Sequence, residues 1–212
     1  LQVQSGSLVN VRHLTILSGG SVDGGSGSIE LGGNWSNAGS FAGGTGTVRF
    51  SDLCGLSSAS IAGSTAFANA RFVTSTGKTY VFAVGSTQTI TGVLEIAGTS
   101  GLPVQFRSAS PGLTGFVSLA AGGVQQIQHV GVTDVWATGL WLAPFLSNEG
   151  GGGNANRWFG VPGGAGAHGI PALADAALLG LSALLLFLGV RSSRRRAAAR
   201  AAPGRTSSGS TS

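Results

Sequence analysis

Apolar and polar residues alternate in short bursts over most of this chain. In Ser28-Ile29-Glu30-Leu31, Ile29 and Leu31 fall on one face of an extended segment, and Ser28 and Glu30 on the other. Thr47-Val48-Arg49-Phe50, Val93-Leu94-Glu95-Ile96 and Val104-Gln105-Phe106-Arg107 repeat the device. A period of two is the strand signal, because successive side chains leave opposite faces. It predicts that Val48, Phe50, Leu94, Ile96, Val104 and Phe106 point inward. Between the bursts lie Ser18-Gly19-Gly20, Asp23-Gly24-Gly25, Gly43-Gly44, Thr76-Gly77, Ser110-Pro111-Gly112 and Gly122-Gly123. Such stretches supply the positive φ that tight corners need. No window of residues 1–169 combines a helical period with caps.

One stretch breaks the pattern. Ile170 to Val190 is apolar apart from Asp175, and residues 178–190 carry no charge. As a helix it would span about 30 Å, the thickness of a bilayer's hydrocarbon core. Pro171 suits a first helical turn. Arg191, Arg194, Arg195 and Arg196 follow directly and predict a cytoplasmic C-terminus with the preceding domain outside. Asp175 would cost about 2.5–3.5 kcal/mol at the bilayer centre, but near the outer end it reaches the interface.

Many short strands without helices leave a sandwich, a closed barrel or a solenoid. Three features favour the solenoid. Gly-Ser-Ile-Glu-Leu-Gly-Gly, Gly-Thr-Val-Arg-Phe-Ser and Gly-Val-Leu-Glu-Ile-Ala-Gly share one form. Asn-Gly hairpin dipeptides are absent. Only 9% of residues are charged, against roughly 25% in ordinary soluble domains, as expected where rungs stack on one another. A β-sandwich is the alternative.

Charge narrows the partners. Residues 1–169 balance Arg12, Arg49, Arg71, Lys78, Arg107 and Arg157 against Asp23, Glu30, Asp52, Glu95, Asp134 and Glu149. The net charge of +5 therefore comes from the tail alone. A nucleic-acid partner is not expected, because it needs a basic stripe on the folded part. Cys54, the single cysteine, has no partner for an internal disulfide or a metal cluster and reads as a small, half-buried apolar residue. The chain has no Met and Leu1 starts in mid-pattern, which predicts a piece or mature form of a longer exported protein.

Candidate chemistry is thin. His13, His129 and His168 lack the spacing of metal ligands. His129 and Asp134 with a serine could form a triad, but no nucleophile elbow accompanies them. The acids are scattered, with no pair for glycoside hydrolysis. Neither Gly43-Gly44-Thr45-Gly46 nor residues 150–153 is a phosphate loop. Asn34-Trp35-Ser36 fits a glycosylation sequon and reads as a rung element. Thr87, Thr89 and Thr91 share one strand face. No catalytic residue, cofactor or metal is expected, and the chain reads as a non-enzyme. Trp136, Trp141, Phe145, Trp158 and Phe159 have two readings: they cover the open end of the last coil, which a solenoid requires, or Trp136, Trp141 and Trp158 form a platform for extracellular glycans.

Two resemblances extend this. Gly33-Asn34-Trp35-Ser36-Asn37-Ala38-Gly39-Ser40-Phe41 followed by Gly46-Thr47-Val48-Arg49-Phe50 resembles repeats of large bacterial surface proteins. The segments 61–69, 89–94 and 98–104 continue the likeness, and Asn154-Ala155-Asn156-Arg157-Trp158-Phe159 is similar to the segment that closes such arrays. The resemblance implies a right-handed parallel β-helix on a cell surface. Ile170-Pro171-Ala172-Leu173-Ala174-Asp175, the apolar segment and the Arg cluster resemble the bacterial IPTL C-terminal sorting signal. Ile170, Pro171 and Leu173 match it, and Asp175 keeps the charge of its Glu. Ala172, Ala174 and Ala176 stand where that family has Thr, Ser and Trp. This likeness implies retention in the inner membrane for an exosortase-like processing enzyme. The expected organisation is a solenoid at 1–160, a Gly-rich spacer at 161–169, a transmembrane helix at 170–190 and a basic tail at 191–212. The expected role is a structural or adhesin-like protein of the cell envelope, partnered by the lipid bilayer; a carbohydrate-binding or polysaccharide-active β-helix is the alternative.

Overall fold

The computed structural model describes residues 1–160. The spacer at 161–169, the expected membrane helix at 170–190, its sorting-signal residues and the tail at 191–212 lie outside the described residues.

The chain winds through coils of three short strands. The first coil holds β1 (Ser7–Val11), β2 (Leu14–Ile16) and β3 (Ser21–Asp23), and the second β4 (Ser28–Leu31), β5 (Trp35–Asn37) and β6 (Ser40–Ala42). The third holds β7 (Thr47–Phe50), β8 (Ser58–Ala62) and β9 (Thr65–Phe67), and the fourth β10 (Asn69–Val73), β11 (Thr79–Phe82) and β12 (Thr87–Ile90). The fifth holds β13 (Val93–Ala97), β14 (Val104–Ser108) and β15 (Gly115–Leu119), and the last β16 (Val124–Gln128), β17 (Val130–Thr133) and β18 (Val135–Ala137). Each strand pairs in parallel with its counterpart in the next coil, except that β6 and β9 do not pair. One face is the 6-stranded sheet β1-β4-β7-β10-β13-β16 and the second is the 6-stranded sheet β17-β14-β11-β8-β5-β2. The third is divided into β3-β6 and β18-β15-β12-β9. This is a parallel β-solenoid. It replaces the sandwich alternative, which would join consecutive strands antiparallel through hairpins, whereas every strand ladder here is parallel. Among the described residues no helix is long and apolar enough to cross a membrane.

Alternation decides what is inside. Ile29, Leu31, Val48, Phe50, Leu94, Ile96, Val104 and Phe106 are all buried, as the period of two predicts. Stacked coils bring like positions into register, so Leu31, Phe50, Phe72 and Ile96 form one interior ladder. The Phe50 and Phe72 rings lie 4.6 Å apart and only 4° from parallel. That separation is close to the ~4.7–4.9 Å spacing between strands, so the backbone ladder itself sets the ring stack. Trp35, in the sequon-like triplet, is 0% exposed, and its indole N–H donates to Thr65 Oγ1 at 3.0 Å. Phe41 and Phe67 meet its ring at 5.0 and 5.2 Å, joining coils across the break in the third face.

Corners are built from close approach and from side chains that replace backbone. Gly44 has φ +55, and a Cβ there would lie 2.0 Å from the Gly25 carbonyl oxygen, so no other residue fits. In the last coil the corners shrink to single non-Gly residues in the left-handed region, His129 (φ 52) and Asp134 (φ 55). The Asn69 side chain spans three coils: its Nδ2 donates to Thr45 O and Gly46 O at 3.0 and 3.1 Å, and its Oδ1 accepts from Val93 N at 2.9 Å.

Residues beyond β18 close the C-terminal end. The Asn148 side chain imitates a strand residue, accepting from Val132 N at 2.7 Å and donating to Val132 O at 2.9 Å. Glu149 N donates to Val130 O and Ala137 N to Asn156 O. These bonds satisfy the outer edges of β17 and β18, which would otherwise be open templates for pairing.

Candidate functional site

The same segment decides the fate of the aromatic residues. Trp158 is 3% exposed and lies under the last coil, edge-on to Phe106 at 5.9 Å. Phe159 is half-buried against the core and meets the Trp158 ring at 6.0 Å. Trp141 is half-buried, and its carbonyl accepts from Gln125 Nε2 at 2.8 Å. Trp136 is elsewhere: β18 carries it on the outer side of the third face, where its Nε1 donates to Asn154 Oδ1 at 2.8 Å. Phe116, one coil below in register, meets it at 6.2 Å with the rings inclined by 74°. Phe145 is 88% exposed and covers nothing, which corrects its expected part in the end cap. The cause is its position in a turn directed away from the coil, after Ala143 and Pro144. The three tryptophans thus occupy three environments and form no common platform.

The candidate triad is not assembled. His129 Nδ1 lies 3.1 Å from both carboxylate oxygens of Glu149, not beside Asp134. Asp134 instead accepts from Gly112 N at 2.8 Å and from Asn154 Nδ2 at 2.7 Å. Those two hydrogen bonds, the backbone one first, hold its carboxyl below the usual aspartate range against the opposing effect of burial. Cys54 is exposed, with φ 67 in the 3-10 turn Leu53–Gly55, which corrects the half-buried reading. Its turn protrudes between β7 and β8 instead of packing under a rung. Among the described residues no group of three or more His, Cys, Asp and Glu side chains converges to hold a metal ion.

One charged cluster had no signal in the sequence. Lys78, just before β11, is 0% exposed. Its Nζ donates to Gly32 O at 2.5 Å and to Ser51 O at 2.7 Å, and lies 5.7 Å from the centre of the Tyr80 ring. Gly32 and Ser51 follow β4 and β7, so one ammonium joins the corners of three successive coils. Burial pushes its pKa below the ordinary lysine value, with Asp52 and Cys54 opposing. Asp52 anchors the adjoining loop, accepting from Thr74 Oγ1 and Ser75 N at 2.7 Å each and from Ser75 Oγ at 3.1 Å. Burial raises its pKa, but the hydrogen bonds from Ser75 and Thr74 outweigh this and hold the carboxyl below the ordinary aspartate value.

A lowered carboxylate pKa stabilises the fold above the unfolded value, and that contribution is lost as pH falls through the folded value. The thermal midpoint should therefore be steady above about pH 5 and drop below 3.8, the unfolded reference for Asp52. In Asp52→Asn the midpoint should be lower at about pH 6, and the further drop on acidification smaller. An equal acid drop in both proteins would remove Asp52 from the explanation.

Glu30, Arg49, Arg71 and Glu95 form a ladder on the outside of the first face. Arg49 Nη1 lies 3.5 Å from Glu30 Oε1, and Arg71 holds Glu95 through Nε at 2.7 Å and Nη2 at 3.0 Å. Glu95 also borders a shallow groove of about 290 Å³, lined with Ala97, Gln126, Ile127 and Gln128. Exposed pairs of this kind contribute little to stability, about 0–1 kcal/mol each; they leave the face without net charge. No protein family, curated protein or solved structure matches the chain.

Proposed function

We propose that this chain is a non-enzymatic bacterial cell-envelope protein. A β-solenoid serves as its structural or adhesive outer part, and residues 170–190 hold it in the inner membrane. The observation that carries the reading is the pairing of a solenoid with the 21-residue apolar segment and Arg cluster that follow a Gly-rich spacer. The coils are wound right-handed in this reading, as parallel crossovers nearly always are. Ile170, Pro171, Leu173 and Asp175, with Arg191, Arg194, Arg195 and Arg196, form the IPTL-like signal, and an exosortase-like enzyme is its processing partner. The charge-poor outer faces and the tight coil-to-coil packing suit an extended surface element better than a reaction site.

Cys54 supplies the test, because it is the single cysteine and is exposed. The chain is produced in a bacterium behind an export signal. A membrane-impermeant maleimide should label Cys54 in intact spheroplasts, and the protein should resist carbonate extraction. In a Cys54→Ser background, Ser212→Cys should label only after permeabilisation. Carbonate-soluble protein, or Ser212→Cys labelled from outside, would overturn the anchoring.

A glycan-binding role is the second reading, favoured by the partly exposed Trp136 and Phe116 stacked over Thr87 on the third face. Their rings are steeply inclined, so the pair offers one sugar-sized face and not a long platform.

A further inference from the structure

The chain leaves the solenoid beside the most exposed large apolar side chain among the described residues. Gly160 N donates to Pro144 O at 2.9 Å. Phe145, directly after Pro144, is 88% exposed, and Leu146 is 37% exposed. Leu146 N bonds back to Ala143 O at 3.1 Å, so residues 143–146 form a tight turn. The base of this turn is fixed. Leu142 and Ala143 are buried, and Ala143 N donates to Gln125 Oε1 at 2.8 Å. The fold thus holds Phe145 outward on a rigid support.

The surroundings suit an apolar contact. No charged residue occurs between Asp134 and Glu149. Those two carboxylates are engaged within the protein, Asp134 with Gly112 and Asn154 and Glu149 with His129. Arg157, the cation of the closing segment, donates to Gly139 O. Trp141 lies half-buried in the same uncharged stretch, and tryptophan favours places where one end is apolar and the other wet. Exposed apolar residues standing singly, such as Val84 and Leu113, are ordinary. Here Leu140, Phe145 and Leu146 fall within seven residues, the clustering that marks a protein or membrane contact.

We propose that the turn at 143–146 docks on the bilayer surface, with Phe145 and Leu146 entering the boundary between headgroups and acyl chains. This rests on the reading of residues 170–190 as the membrane anchor. The length of chain between the two identifies the occupant. Nine residues, 161–169, separate Gly160 from the apolar segment. Nine residues span at most about 30 Å. Phe145 is the neighbour of the Pro144 carbonyl that holds Gly160, so the tether keeps the turn within reach of the bilayer. A few apolar side chains bind a membrane only weakly and reversibly by themselves. Tethering makes the contact intramolecular and so raises its occupancy without any new contact. Docking turns the last coil toward the bilayer and the first coil away from it.

The test uses the full 212-residue chain reconstituted in phosphatidylcholine vesicles. In a Cys54→Ser background, Ser147→Cys carries a fluorophore beside the turn and leaves Phe145 and Leu146 in place. Nitroxide lipids labelled near the headgroup should quench it about threefold or more strongly than the same label at Ser18→Cys. Ser18 is exposed in the first coil, five coils or about 24 Å along the stack. Added salt should leave the quenching unchanged, because the contact carries no charge. Phe145→Glu should reduce it to the Ser18→Cys level, since a carboxylate resists entry into the bilayer. Its thermal midpoint should not move, because Phe145 is exposed. Leu178→Cys, in the apolar segment, reports on the anchor separately. Quenching at Leu178→Cys without quenching at Ser147→Cys would overturn the docking and leave the anchor standing. No quenching at Leu178→Cys would overturn the anchor and this inference with it. Quenching at Ser147→Cys that is indifferent to Phe145→Glu would also overturn the docking, since the tether alone would then account for it.

Discussion

Replacing Phe72 by alanine is expected to lower the stability of the solenoid by about 4 kcal/mol, within the range for a phenylalanine removed from a packed core. Phe72 is 1% exposed and sits in the fourth coil, in the middle of the stack. Its ring stacks on Phe50 at 4.6 Å and takes the edges of Tyr80 and Phe106 at 5.0 Å each. Those neighbours belong to the third, fourth and fifth coils. They hang from a hydrogen-bonded ladder and cannot collapse into the space. The consequence is larger than in a globular core, because a solenoid is joined only through neighbouring coils. A cavity at the fourth coil loosens the hold of the first three on the last two. Guanidinium unfolding followed by circular dichroism should show an earlier midpoint and a broader transition. Hydrogen exchange should show the amides of β4 and β14 losing protection unequally. Phe72→Leu should recover more than half of the loss, since it refills most of the volume. A shift below about 1 kcal/mol for Phe72→Ala would mean that the stack is not the element joining the coils.

The second large effect is expected at Lys78. Methionine there keeps the apolar stem and removes the ammonium. The carbonyls of Gly32 and Ser51 then lose their donor, and among the described residues neither accepts a backbone hydrogen bond instead. A buried unsatisfied acceptor costs about 1–3 kcal/mol. Two of them would cost more than the relief gained by no longer burying the charge, and a net loss of about 3 kcal/mol is expected. Hydrogen exchange gives a finer check. The Ser51 and Gly32 corners belong to the second and third coils, so their amides should exchange faster although the substitution is in the fourth. Chemical unfolding with an unchanged midpoint would show that the corner carbonyls do not depend on Lys78. Tyr80, whose phenol is pushed upward by burial and by Asp52, packs beside the same ammonium. Among the described residues its hydroxyl has no partner, so Tyr80→Phe serves as a control that should leave the midpoint nearly in place.

The faces of the individual strands were legible in the sequence because alternation is a local matter. Ile29 with Leu31 and Val48 with Phe50 point inward wherever their strands end up, since the pleat alone sets that choice. The glycine corners were legible for a similar reason: Gly25 and Gly44 need a positive φ that only glycine adopts freely. The apolar run at 170–190 and its Arg cluster are likewise a local signal, and they carry the expected membrane placement without help from the fold.

Partnership between distant segments was decided only by the tertiary structure. Thr47-Val48-Arg49-Phe50 reads the same in a hairpin or a coil; pairing with β4 and β10 depends on how far each corner turns the chain. Lys78 enters the sequence only as one of six balancing cations, because nothing near it in sequence says that Gly32 and Ser51 will arrive at its ammonium. Asn148 reads as a loop residue until β17 ends the stack and leaves Val132 unpaired. Trp136 and Trp158 are the same residue type with opposite fates. A left-handed corner at Asp134 turns Trp136 outward, and the closing segment returns Trp158 beneath Phe106. Local pattern determines which side of a strand is apolar; stacking determines which corners, edges and rings meet, because those contacts exist only between coils.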